Sequence, residues 1–221
     1  ASIAATYKKT PPAFDRSVEP PYGQSPDVKL PVVWKKKLSS GINVLGIENH
    51  EVPLVQFQLQ IKGGMLLETA DKIGVSNMMA ELMTKGTKNK TPEQLENAIE
   101  SLGAVITAYA TDEAVFIKGN TLAKNYNETM KLVQEIILQP RWDAKEFDLI
   151  KQSTLSKILQ QKASPNNIAD NEFKKIVHGE ASILSNNNIG TENSVKNTTI
   201  EDLKNYYTKN ISPSVCNFQI V

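Results

Sequence analysis

The sequence predicts an α+β fold in which one antiparallel sheet is covered by helices. Residues 54–62 alternate apolar and polar side chains, as a strand with one buried face does. Segments with strong helix caps follow in pairs, and further strand-like segments lie between the pairs and at the end of the chain. Hairpins are therefore mixed with helix pairs, which favours α+β over a regular alternation of strand and helix.

Three strands are predicted at the start, at residues 33–38, 42–48 and 54–62. A turn at Gly41 joins the first two, and Gly63-Gly64 ends the third. In the third strand every second residue from Val55 to Ile61 is apolar, and the residues between them are glutamines. This strand is predicted to have one buried face and one wet face.

The first helix is predicted between Gly74 and Gly86, in a segment rich in Met, Ala, Glu and Leu. The second begins at Pro92, with Thr91 and Gln94 forming a capping box, and ends at Gly103. Strands at 104–110 and 114–120, four helices and a last strand follow, with residues 179–196 as loop. The four later helices are predicted at 123–138, 144–162, 165–177 and 200–208. Asp143 is predicted to cap the second of these, and Thr199, with Asp202 three residues on, is predicted to cap the last.

Composition excludes some functions. The 25 basic and 24 acidic residues leave a formal charge of +1, so there is no general attraction to nucleic acid or anionic lipid. No apolar run reaches about 18 residues, so no membrane span is predicted. Cys216 is the only cysteine and is predicted to be a buried, inert thiol in the last strand.

The chain is predicted to consist of an extended, Pro-rich arm at residues 1–32 and a single α+β domain at residues 33–221. Pro11-Pro12 and Pro20-Pro21 favour extended backbone in the arm. The start has no intact signal peptide and the final strand reaches the last residue. We therefore expect a fragment of a longer chain, with the arm as a tether to a preceding domain.

Asn77, Ala80 and Glu81 share one face of the first helix, at the spacing with which a helix presents two metal ligands and a general base. With Gly74-Val75 before it and Lys85-Gly86-Thr87 after it, this stretch resembles the zinc helix of the pitrilysin/insulinase-type peptidases, or inverzincins, whose signature is H-x-x-E-H. Asn77 stands at the first histidine, Ala80 at the glutamate and Glu81 at the second histidine. The resemblance thus implies a helix that is kept and a chemistry that is lost.

The resemblance runs in order from residue 34 to residue 221 and places the distal glutamate ligand roughly 75 residues beyond the motif, at Lys157. An ammonium group has no lone pair for a metal, so only Glu81 could ligate zinc. We expect Lys157 to pair with Glu81 across two helices instead. Glu172 is the nearest other carboxylate if the register slips. Of the two histidines, His50 is expected in an exposed turn and His178 in a loop role.

The resemblance implies a non-catalytic domain that forms part of a peptide-enclosing chamber and an interface with an active half, on the same polypeptide or a separate subunit. We predict no cofactor here, with zinc in the active half, and no hydrolysis by this domain alone. An extended peptide is expected to add to the sheet edge at Ala108, Tyr109 and Ala110. A bacterial periplasmic or exported location is implied by the resemblance only.

Three alternatives remain open at this point. The chain could be an active metalloendopeptidase with an unorthodox zinc site. It could be a structural subunit, like the core proteins of respiratory complexes that share this fold. It could also be a free-standing peptide-binding module.

Overall fold

The computed structural model describes Asp15, Asp27 and the ranges 17–19, 22–25 and 30–221. It divides into two compact units, Ala1–Pro31 and Val32–Val221. The proline pairs of the predicted arm lie outside the described residues, so the arm remains a prediction. In the described part of the chain, all helices and strands belong to the second unit.

The second unit contains a six-stranded sheet in the order β1-β2-β6-β3-β5-β4. Neighbouring strands are antiparallel except β2 and β6, which are parallel. The α+β class is confirmed, but the prediction of a wholly antiparallel sheet is wrong. The last strand enters between two mutually antiparallel strands, β2 and β3, and must run parallel to one of them. The strands are β1 Trp34–Lys37, β2 Asn43–Gly46, β3 Leu54–Lys62, β4 Val105–Ala110, β5 Ala114–Leu122 and β6 Cys216–Ile220.

Strand β3 shows the predicted alternation most clearly. Phe57, Leu59 and Ile61 are buried on one face, and the glutamines between them point to the other. The buried face packs against the helices and forms the hydrophobic core. Burial of these apolar side chains is what fixes the register of the strand, because a slip of one residue would expose all of them.

Seven α-helices accompany the sheet, and the caps predicted at Thr91, Asp143 and Thr199 are confirmed. The Thr91 hydroxyl accepts a hydrogen bond from the Gln94 backbone amide at 3.2 Å, and the Gln94 side-chain oxygen accepts one from the Thr91 backbone amide at 2.9 Å. Asp143 caps the fourth helix, as predicted. The helices are α1 Val75–Met83, α2 Pro92–Ser101, α3 Tyr126–Leu138, α4 Ala144–Lys162, α5 Pro165–His178, α6 Glu192–Asn197 and α7 Ile200–Asn210.

The segment 179–196 is not wholly loop, and this prediction is wrong. It contains a 3-10 turn at Ile183–Ser185 and the beginning of α6. Helix α6 is capped by Thr191 and Ser194, which bond each other's backbone amides. A serine at the third helical position is a weaker sequence signal than glutamate or glutamine, and the helix has only six residues.

Cys216 is buried in β6, as predicted, and burial raises the pKa of its thiol to about 11. At neutral pH it therefore stays protonated and unreactive. Among the helices of the described residues, none combines the length and apolar character needed to cross a membrane.

Candidate functional site

Helix α1 is held at its beginning by a carboxylate from the preceding segment. The Glu68 side chain accepts hydrogen bonds from the Gly74 amide at 2.8 Å and the Ser76 amide at 2.5 Å. These are orphan donors of the first turn, and a negative charge there also suits the helix dipole. Partial burial raises the pKa of the Glu68 carboxyl despite these bonds. Sequence reasoning missed this cap, because it reaches back six residues and no short motif encodes it.

Gly74 allows α1 to begin where it does. Its backbone is left-handed, with φ of 102°, and a Cβ there would lie 2.6 Å from the carbonyl oxygen of Ile189. The loop at 186–190 therefore lies directly against the start of α1. A residue with a side chain at position 74 would have to push this loop away.

The face predicted to be a former metal site lies on α1 opposite α4. Asn77 and Glu81 are half-buried, and Ala80 is fully buried. The Lys157 ammonium on α4 lies 3.8 Å from a carboxylate oxygen of Glu81, so the expected pairing between the two helices is found. The Lys157 side chain is 53% exposed, which makes this a partly solvated ion pair rather than a buried one.

The donor set does not fit zinc. A zinc centre needs histidine, cysteine or carboxylate ligands, three of them in a catalytic site. Asn77 offers an amide, Ala80 no donor and Lys157 a positive charge, so Glu81 stands alone on this face. Within the described ranges, no group of three or more His, Cys, Asp or Glu side chains could hold a metal ion. We derive no catalytic step through a metal at this position.

The other candidate residues lie apart from this face. Glu172, the spare carboxylate, bonds Lys175 at 2.6 Å within α5. His50 lies in a turn with its side chain 87% exposed, as predicted, 3.7 Å from Glu48. His178 ends α5 and borders a polar cavity of about 610 Å³ at the β4–β5 turn.

The predicted peptide-binding residues lie on β4, which is an edge strand packed beside α1. The Thr111 amide bonds back to Ala114, so the odd-numbered residues of β4 direct their backbone groups toward β5. Ala108 and Ala110 therefore direct theirs to the free edge. Tyr109 directs its backbone to β5 and stacks its ring on Phe116, with centroids 5.2 Å apart.

One end of this edge is already occupied. The Asn188 side-chain amide donates to the Ala110 carbonyl at 2.8 Å, which takes one outward acceptor of β4. Sequence reasoning treated the Asn186–Asn188 run as plain loop and missed this contact. No local pattern links two residues that lie 78 positions apart.

The insulinase family profile, peptidase family M16, matches residues 43–186, which is more than half of the chain. The chain belongs to the M16 peptidase family. The predicted resemblance is thereby confirmed over the segment that contains α1, β4, α4 and the ion pair between Glu81 and Lys157.

Relatives and solved structures agree with this assignment. A Helicobacter pylori protein described as non-peptidase homolog YmxG is 21% identical over 181 residues, covering 82% of this chain and 39% of its own length. A crystal structure of a peptidase M16 inactive domain from Pseudomonas fluorescens superposes with a TM-score of 0.80 at 21% identity, covering 86% of this chain and 46% of that one. The periplasmic protease PqqL from Escherichia coli gives a TM-score of 0.76 at 18% identity, covering 86% of this chain and 22% of that one.

This chain thus spans less than half the length of each of these proteins. The prediction of a non-catalytic M16 domain agrees with the first two descriptions.

Proposed function

We propose that this domain is a non-catalytic wall of a peptide-enclosing M16 assembly and pairs with a catalytically active half. The proposal depends mainly on which residues lie on the face of α1 that would carry the metal motif. The family profile covers this helix, yet the positions that the resemblance aligns with metal ligands and base hold Asn77, Ala80 and Glu81, and the position that it aligns with the distal ligand holds Lys157.

The ion pair supports a structural role for this face. In an active member a metal would join the two helices, whereas here Glu81 and Lys157 bring opposite charges together between α1 and α4. Ala80, at the base position that the resemblance implies, is fully buried and has no group that could take a proton from water. The domain keeps the packing of the helices without the acid–base chemistry.

The edge of β4 supports contact with an extended peptide. Its outward backbone groups at Ala108 and Ala110 lie on the strand that packs against α1, and extended peptides commonly bind by adding a strand to such an edge. Without a metal or a general base beside it, such binding would hold a peptide and not cleave it. Zinc and turnover would come from the active half, and a periplasmic location would match the PqqL neighbour.

The test uses the full 221-residue chain, alone and mixed with an active M16 half from the same source. We expect the chain alone to show no chelator-sensitive cleavage of a fluorogenic peptide. We expect the mixture to form a complex on gel filtration and to cleave faster than the active half alone. Chelator-sensitive turnover by this chain would contradict the proposal. Failure to associate, together with stable assembly into a complex that has no peptidase, would favour a structural subunit.

A further inference from the structure

The helices pack on the sheet face that carries Phe57, Leu59 and Ile61. The opposite face is called here the open face. It consists of the β3 residues that alternate with these three, together with the residues paired beside them on the neighbouring strands. The β3 members are Gln56, Gln58, Gln60 and Lys62. A shallow cavity of about 510 Å³ lies on this face beside Gln58, Lys118 and Gln219.

Carboxamide side chains continue across the open face from β3 to β6 and β2. Gln58 is paired with Gln219 and Gln60 with Asn217, and Asn217 is paired with Asn43 on its other side. The Gln58 amide donates to Gln219 at 3.1 Å, and the Asn43 amide donates to Asn217 at 3.2 Å. Each carboxamide has two N–H donors and two acceptor lone pairs, so these two bonds leave most of that capacity for a ligand.

The row extends in the other direction to β5 and β4. Gln56 is paired with Asn120, which brings the carboxamides to seven, and Gln58 is paired with Lys118. The Lys118 ammonium lies 5.0 Å from the centre of the Tyr109 ring, which stacks on Phe116. The open face thus combines a neutral, hydrogen-bonding centre with a flat aromatic patch at one side.

The charge on the open face is of one sign. Although the chain has nearly equal numbers of acidic and basic residues, no acidic residue belongs to this face in the six described strands. It carries lysines on three strands. Lys35 and Lys37 lie on β1 and are paired with open-face residues of β2. Lys62 lies on β3 and Lys118 on β5.

We propose that the open face binds extended polypeptide segments rich in aspartate and glutamate. The four lysines attract the carboxylates, and the carboxamides offer donors and acceptors that match the peptide groups of an extended backbone. The inference rests on the proposed function, because an enclosing wall must present a surface to the peptide. Beyond the proposed function, it specifies that the bound peptide is acidic and that it binds to a surface other than the β4 edge.

The experiment measures fluorescence polarisation of short labelled peptides with the full chain. We expect an Asp/Glu-rich peptide to bind and a Lys-rich peptide of the same length not to bind. We expect Lys62→Glu combined with Lys118→Glu to weaken binding by about tenfold or more, because like charges then face each other. The control, Lys145→Glu combined with Lys209→Glu, makes the same charge change on the exposed surfaces of α4 and α7 and should change binding by less than about twofold.

Several outcomes would overturn the inference. They are no binding of the acidic peptide, equal losses in both double variants, or equally tight binding of a single-stranded DNA oligomer, which would show a response to any polyanion. Gln58→Ala, which removes a carboxamide and no charge, should also weaken binding and gives a second readout. The assay contains no active half, so failure of the proposed pairing would not affect it. Unfolding curves verify that each variant is folded.

Discussion

Glu81 and Lys157, which the resemblance aligns with two metal-ligand positions of an active relative, are joined by charge alone. At 3.8 Å and with partial exposure, the pair lies in the range where solvent screening limits the gain. The pair therefore allows the two charges to lie side by side between α1 and α4 but adds little to the free energy of unfolding. The fully buried methionines and leucine of α1 contribute far more to packing. They are Met78, Met79, Leu82 and Met83.

A double-mutant cycle with Glu81→Gln and Lys157→Met tests this reasoning. We expect a coupling free energy of about 0.2–1 kcal/mol, which decreases as salt is added. Urea unfolding at low and high ionic strength gives the measurement. A salt-independent coupling well above this range would mean that the pair is desolvated and holds the two helices together by itself.

Glu68 is expected to contribute more to the free energy of unfolding than the ion pair does, because it accepts hydrogen bonds from two amides at the start of α1. We expect Glu68→Ala to lower the free energy of unfolding by about 1–3 kcal/mol, as orphaned donors usually do. Thermal and urea unfolding measure this loss. A change below a few tenths of a kcal/mol would show that water replaces the carboxylate without cost.

The pH dependence at Glu68 has a definite sign. Its pKa is raised above 4.5 in the folded chain by burial, so the folded state binds this proton more tightly than the unfolded state. The contribution of the group is present below pH 4.5 and is lost as the pH rises through the folded pKa. We therefore expect the stability of the native chain, relative to Glu68→Gln, to fall as the pH rises above this value. A relative gain with rising pH would mean that the helix amides outweigh desolvation.

At the scale of elements, strand β4 decides whether peptide can add to the sheet. The backbone of Ala108 faces the free edge, whereas that of Thr107 faces β5. Proline removes an amide donor and is tolerated on a strand edge when that donor points to solvent. We expect Ala108→Pro to prevent strand addition with a small loss of stability, and the matched Thr107→Pro to destabilise the fold strongly.

Peptide binding and thermal unfolding of these two variants provide the check. Binding of acidic peptide to the open face should survive Ala108→Pro, since the lysines and carboxamides of the open face lie on strands other than β4. If Ala108→Pro left all peptide binding intact and the Glu substitutions at Lys62 and Lys118 did so too, both surfaces would be excluded.

Local patterns account for most of the elements. The glutamine alternation of β3 and the caps at Thr91, Asp143 and Thr199 are short-range signals, and their strands and helices lie where they were predicted. The parallel pairing of β6 with β2 could not be predicted from such signals, because it depends on which strands leave a gap. The Glu68 cap and the Asn188 contact are likewise long-range and invisible to local reasoning.

The candidate site was predictable in a different way. The i, i+3, i+4 spacing of Asn77, Ala80 and Glu81 identified a shared helix face, and counting along the family pattern reached Lys157. The structure brings Glu81 and Lys157 together, which supports that register. The open face could be anticipated only in β3, since the residues of the other strands join it through pairing.

For the molecule as a whole, we propose that the M16 scaffold is kept while its metal site is lost. Restoring the motif tests the first half of this claim. We expect the variant Asn77→His, Ala80→Glu, Glu81→His, Lys157→Glu to bind zinc, because positions 81 and 157 already bring side chains of α1 and α4 within 3.8 Å of each other. Absence of zinc in a folded variant would show that the helices have moved beyond ligand distance.

The second half of the claim is tested most directly by the zinc content of the native chain. The full chain is incubated with excess zinc, dialysed and analysed for metal, with Glu81→Gln as the matched control. We expect less than one zinc per chain, and the same amount in both proteins. One tightly bound zinc per native chain that disappears in Glu81→Gln would contradict this expectation.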